Sequence, residues 1–309
     1  MSTATLSSSP MWPSSSASAE AGPSSSQPSA DQQIAAVQNK LYKINTILQD
    51  ADPEEIIEWA IDNLPGLYQT TAFGLTGCVT LDQINKVSKR RGQAHLVPLI
   101  FLDTLYHFPQ TVDLAQRAAS HYHAPMHVFK PKDCDTVSEF ENRHGRELWN
   151  RDEDSYDYLV KVEPAARAYA HLHVRAVFTG RRRSQGAERA SLNAVEIDET
   201  GLIKVNAFLN WSFTQVDEYA KAHKVPYNEL LDFGYRSVGD WHSTEPAGEG
   251  DAGERGGRWK GRAKQECGLH RMADTMRAAK VLREATLGRN DEERGDKIDA
   301  AATAVVASS

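Results

Sequence analysis

The octapeptide HLVPLIFL, at positions 95–102, sets six apolar side chains in a row with only a proline between them. A strand with one wet face alternates polar and apolar residues, whereas a run this continuous has to be covered on both faces. It is also far short of the ~20 apolar residues that a membrane-spanning helix needs, and no other run approaches that length. A strand sandwiched between helices satisfies it, and the flanking pattern agrees. Ile34, Val37, Leu41, Ile44 and Leu48 recur at helical spacing over 31–50, and Asp52-Pro53-Glu54-Glu55 reads as a cap and acidic first turn of a second helix running through 61. A strand is expected at 67–72, with a loop at 73–77 before the next helix. Helices at about 109–121, 136–144 and 161–173 enclose a strand at 126–129, and VRAVFTG adds another strand. NAVEIDETGLIKVN reads as a hairpin around Glu199-Thr200-Gly201, followed by helices at 214–224 and 227–232. Strands alternating with helices at this pitch predict an α/β fold with a doubly wound, mainly parallel sheet.

Composition limits what such a domain does. With 309 residues, of which 40% are hydrophobic, the chain can bury one sizeable core. A net charge of −7 speaks against wholesale nucleic-acid binding, which needs a basic face. Residues 1–30 hold twelve serines and no lysine or arginine, so they lack the marks of a secretory signal and read as a disordered tail. The folded domain is expected at 31–245, a C-terminal catalytic segment at 246–285, and a disordered or frayed tail at 286–309. The three cysteines, Cys78, Cys134 and Cys267, form no CxxC pair, so neither a thiolate metal site nor a disulfide scaffold is expected. The chain reads as cytoplasmic and reduced, with no membrane contact.

In a doubly wound sheet, ligands bind at the carboxyl ends of the strands. Four polar or glycine-bearing segments fall there: QTTAFGLTG, LDTLYHFPQT, TGRRRSQGAER and KVNAFLNW. Small residues between strand and helix in the first let backbone amides approach an anion, and Thr70, Thr71 and Thr76 add hydroxyls; an ordinary tight turn explains the same residues. It is not a P-loop, because no Gly-Lys-Ser/Thr closes it. Asp103 ends the buried strand, where it either accepts from ribose hydroxyls or caps the turn. Arg181, Arg182, Arg183 and Arg189 follow a strand directly, and their guanidinium forks suit phosphate or sulfate oxygens. RGGRWKGRAK, at 255–264, adds five cations and no acid, and its glycines suit a mobile clamp over an anion.

That clamp leads straight to Cys267. A free thiol has a pKa of about 8.5, and Arg262, Lys264 and His270 are placed in sequence to lower it. Against an anionic target, two unit charges about 4 Å apart repel by roughly 4 kcal/mol at an effective dielectric of 20. Cations around both partners are then a requirement for attack. Cys78 and Cys134 fit the blander role of small buried hydrophobes.

The segment ECGLH, together with TTAFGLTG, LDTLYHFPQT, GRRRSQGAER, KVNAFLNW and GYRSVGDWHST in this order, resembles the assimilatory 3′-phosphoadenylyl sulfate (PAPS) reductases, in a fungal-like form. The resemblance implies an adenine-nucleotide α-hydrolase-like fold, related to the PP-loop pyrophosphatases, with a mobile C-terminal active-site segment. It implies PAPS as substrate, thioredoxin as electron donor, a homodimer, and Cys267 as the nucleophile. It places Thr70, Thr71, Phe73 and Gly74 at the nucleotide loop, and Asp103 and Thr104 by the adenosine. Arg181, Arg182, Arg183, Gln185 and Arg189 would face phosphate or sulfate, with Lys204, Trp211, Gly239, Asp240 and His242 completing the pocket. The related adenylyl sulfate reductases hold a four-iron cluster on a double cysteine and a CxxC pair. Here Asp240 and Trp241 stand where a cysteine pattern would be, so no cluster is expected. A PP-loop ATP pyrophosphatase and a non-catalytic nucleotide-binding protein are the alternatives.

Overall fold

The computed structural model describes residues 30–248 and 253–259. The serine-rich tail, ECGLH with Cys267, Arg262, Lys264 and His270, and the tail at 286–309 lie outside the described residues.

Two helices, α1 (Ala30–Leu48) and α2 (Pro53–Asn63), lead into strand β1 (Leu67–Thr71) and helix α3 (Leu75–Arg90). Then come β2 (Leu99–Leu102), α4 (Pro109–His121), β3 (Met126–Phe129) and α5 (Val137–His144). Two short turns, α6 (Leu148–Arg151) and α7 (Glu153–Asp157), run through a π-helical turn (Tyr158–Val162) into α8 (Glu163–His171). Strands β4 (Ala176–Phe178), β5 (Val195–Ile197) and β6 (Ile203–Val205) complete the sheet before α9 (Phe213–His223). The strand order is β3-β2-β1-β4-β6-β5, parallel throughout except for the β5–β6 hairpin. That is the expected doubly wound α/β sheet.

The apolar run explains itself in β2. Leu99 and Phe101 join the main core with residues of α2, α3 and α4, while Ile100 and Leu102 pack with Val162, Ala165 and Ala168 on the other face. Alternate side chains point to opposite faces, and each face is covered. The strand begins only at Leu99. Pro98 has no N–H to give, although its carbonyl accepts from Gln69 N–H at 2.9 Å. On the far edge, Asn45 of α1 donates to Val195 O and accepts from Val195 N–H, both at 2.9 Å, which occupies the outer edge of β5.

Two boundaries differ from the sequence reading. Helix α3 opens at Leu75, with Gly74 as its extended N-cap and Cys78 N–H bonded to Gly74 O at 3.0 Å, so Leu75, Thr76 and Gly77 form its first turn rather than a loop. The helix expected from 161 has its register shifted by the π turn, and the helical stretch continuous with it begins at Glu153. No helix among the described residues is long and apolar enough to cross a membrane.

Candidate active site

Strands β1 and β4 are neighbours, but the chain leaves β1 toward β2 on one side and reaches β4 on the other. Their carboxyl ends flank the crevice where the winding reverses, the place such sheets bind ligands. A cavity of about 190 Å³ lies there, lined by residues 69–77 and 178–180 and roofed by Arg236, Glu254 and Arg255. Thr71 Oγ1 accepts from Phe73 N–H at 2.9 Å, and Phe73 takes a left-handed φ of 55°. This turn aims the opening of α3 at the cavity, where first-turn N–H groups lack intrahelical partners. Gly77 permits the close approach. A Cβ there would stand 2.6 Å from Thr71 Oγ1.

Arg182 is the cation that the sheet delivers into this cavity, and it is only 2% exposed. Its Nε donates to Thr76 Oγ1 at 3.1 Å, its Nη1 to Glu254 Oε1 at 3.0 Å, and its Nη2 to Glu254 Oε2 at 2.5 Å. Burial pulls the guanidinium below its ordinary pKa, while the Glu254 carboxylate works in the other direction. Gln185 Oε1 accepts the Arg182 N–H at 3.1 Å and also takes the Arg189 guanidinium.

The other residues singled out from the sequence divide into three groups. Thr70, Thr71, Phe73, Gly74, Arg182 and Gln185 line the cavity. Arg181 instead pairs with Glu196 at 2.6 Å, Arg183 donates to Leu192 O and Asn210 Oδ1, and Lys204 pairs with Asp198 at 2.9 Å. The carbonyl of Trp211 accepts from Arg182, and its ring packs edge-on against Phe208. Asp103 Oδ1 accepts from Leu105 N–H at 2.9 Å, which is the turn-capping geometry.

Thr104, Asp240 and His242 meet in a separate buried network. Asp240 accepts from Thr104 Oγ1 at 2.6 Å and from Tyr156 OH at 3.2 Å, and it pairs with Lys161 at 2.8 Å. His242 Nε2 lies 2.9 Å from Tyr156 OH, and its ring stacks on Trp149. Burial alone would raise the Asp240 carboxyl, but Lys161 and His107 with the hydrogen bonds from Lys161 and Thr104 hold it well below the usual carboxylate range. The network anchors the segment whose residues 236–238 line the cavity. Gly239 lies beside them, and the Arg258 guanidinium occupies the space a Cβ would need.

The sequence profile of the phosphoadenosine phosphosulfate reductase domain matches residues 66–246, from the turn before β1 past Asp240. The chain belongs to this reductase family. It is 52% identical to the phosphoadenosine phosphosulfate reductase of Saccharomyces cerevisiae over 237 residues, covering 75% of this chain and 88% of that one. The Emericella nidulans reductase is also 52% identical, over 74% of each chain. The crystal structure of the Candida auris PAPS reductase, a phosphate complex, shares 46% identity and a TM-score of 0.61, covering 72% of this chain and 100% of that one.

Four residues of the cavity and of the buried network were not singled out in the sequence. Arg236 and Glu254 line the cavity, and Lys161 and Tyr156 hold Asp240. Arg236 sits inside GYRSVGDWHST as a lone cation, and Glu254 directly precedes the cationic run. Tyr156 meets Asp240 across 84 positions, a separation with no periodic signal. Among the described residues, no group of three or more His, Cys, Asp or Glu side chains is arranged to hold a metal ion.

Proposed function

We propose that this chain reduces PAPS to sulfite and adenosine 3′,5′-bisphosphate, with Cys267 as nucleophile and reduced thioredoxin as donor. The observation that carries this reading is a coincidence of place. The segment matched to the reductase family contains the strand ends and the buried Arg182 that build a cavity for an oxyanion. Arg182, with Arg236 and Arg255, supplies positive charge to the phosphosulfate, and the first turn of α3 supplies N–H groups. Thr70, Thr71 and Gln185 offer neutral polar groups beside them.

The cysteines support the choice of nucleophile. Burial pushes the Cys78 thiol up to about 12, and burial also raises that of Cys134, so neither supplies thiolate at neutral pH. Cys267 is the third. Its thiolate forms a bond to the sulfonate sulfur as the sulfur–oxygen bond to phosphate breaks, and the electron pair leaves with the phosphate oxygen. A thioredoxin thiolate then attacks Cys267 Sγ and releases sulfite, and its second thiol resolves the mixed disulfide, leaving oxidised thioredoxin and a Cys267 thiol. The reading includes a cytoplasmic homodimer without an iron–sulfur cluster.

Sulfite release from PAPS with reduced thioredoxin tests it directly. Alkylating the thiols is expected to abolish turnover. Turnover of ATP that survives alkylation would favour pyrophosphatase chemistry, and bisphosphate binding without sulfite release would favour a non-catalytic nucleotide-binding protein.

A further inference from the structure

Arg182 is buried, and a buried guanidinium without a counter-charge is strongly destabilising. Its counter-charge is the carboxylate of Glu254, held two-pronged by Nη1 and Nη2. Ser184 Oγ stands 2.8 Å from Glu254 Oε1 and completes the set of donors. A guanidinium fork plus a hydroxyl is the arrangement that binds a phosphate or sulfonate group, so a side chain of the enzyme occupies the position suited to a substrate oxyanion. We propose that Glu254 is a resident anion, which keeps Arg182 paired while the site is empty and is displaced by an oxyanion of the nucleotide on binding. This rests on the assignment of Arg182 to the substrate made above.

The surroundings separate this role from that of a simple latch. Residues 253–259 are docked by contacts that do not involve the carboxylate. Gly253 O accepts from Arg236 at 3.2 Å, Glu245 N–H donates to Gly257 O at 2.9 Å, and Trp259 N–H donates to Ser243 O at 3.0 Å. Trp259 is buried beneath the Arg255 and Arg258 guanidinium groups. The segment therefore stays seated when Glu254 lets go. A carboxylate left in place among Arg182, Arg236 and Arg255 cancels part of the charge that attracts the substrate. Binding is then an exchange of anions, and its affinity is set by how firmly Glu254 is held.

The test uses the full chain and adenosine 3′,5′-bisphosphate as probe, measured by calorimetry, alongside steady-state kinetics with PAPS. Sulfite release by the unmodified enzyme is scored separately, because its absence would count against the proposed function and not against the exchange. Glu254→Gln is expected to bind the bisphosphate about tenfold more tightly and to lower KM for PAPS without raising kcat. It should also melt lower than the unmodified chain in anion-free buffer and recover on adding bisphosphate. In an Arg182→Ala background the same substitution should change affinity less than twofold. Glu254→Asp, which draws the carboxylate back by one methylene and leaves every donor to the oxyanion in place, should tighten binding about two- to threefold and provides the reading if Glu254→Gln folds poorly. Weaker or unchanged bisphosphate binding by Glu254→Gln, or an effect that persists without Arg182, would overturn the exchange.

Discussion

Arg182 and Asp240 are both buried charges, and they differ in what answers them. Arg182 faces a cavity and a displaceable carboxylate, whereas Asp240 is enclosed by Lys161, Thr104 and Tyr156. One charge-assisted hydrogen bond contributes about 1.5–3 kcal/mol, so Arg182→Ala should weaken bisphosphate binding about 10- to 100-fold. Arg181→Ala and Arg183→Ala, whose guanidinium groups are engaged by Glu196, Leu192 O and Asn210, should change it by less than about threefold; titration calorimetry of the three variants checks the ranking. Asp240 contributes in a different way. Its folded carboxyl titrates below its unfolded value, so its stabilisation is present above about pH 4 and is lost as pH falls toward the folded value. In thermal melts the gap between the unmodified chain and Asp240→Asn, about 3 kcal/mol near neutrality, should therefore hold from pH 7 to about pH 4 and begin to narrow below it. The arginine block was plain in the sequence, but which of its members turns inward was not. That depends on acceptors at positions 192, 196, 210 and 254, which no local pattern marks.

At the scale of elements, the junction of β1 with α3 does most to shape the site. Gly77→Ala would drive a methyl group against Thr71 Oγ1, which in turn holds the Phe73 N–H. Such overpacking costs about 1–3 kcal/mol, and the shift it forces falls on the turn that lines the cavity. The expected result is a melting temperature lower by several degrees together with weaker bisphosphate binding. A lower melting temperature with unchanged binding would show that the turn is not a binding element. Strand β3 and helix α4 follow from apolar spacing and a proline at the helix start, and both lie where the sequence predicts. The start of α3 and the π turn were harder to read. A glycine at the N-cap looks like loop, and one extra residue in a helical turn leaves no mark on composition. Tyr156 escaped notice as a partner of Asp240 because its hydroxyl is satisfied through tertiary contact with Asp240 and His242.

For the whole molecule, the proposed function requires a chain of net charge −7 to bind a polyanion through a few cations gathered at one end of its sheet. Affinity for the bisphosphate should accordingly fall as ionic strength rises, more steeply for the unmodified chain than for Arg182→Ala. Choosing PAPS over adenylyl sulfate requires donors for the 3′-phosphate, and even one is sufficient for about a tenfold preference in kcat/KM; equal efficiency in competition would contradict it. The fold class and the cavity at the carboxyl ends of the strands were legible because a doubly covered strand and the alternation of elements permit few topologies. The central chemical claim concerns Cys267 alone. Intact-mass spectrometry and peptide mapping after mixing the reduced enzyme with PAPS, with thioredoxin withheld, test it most directly. The account predicts one added SO3 group, mapped to Cys267 and absent in Cys267→Ser, which should still bind the bisphosphate. An adduct on another residue, or sulfite formed by Cys267→Ser at the unmodified rate, would contradict it.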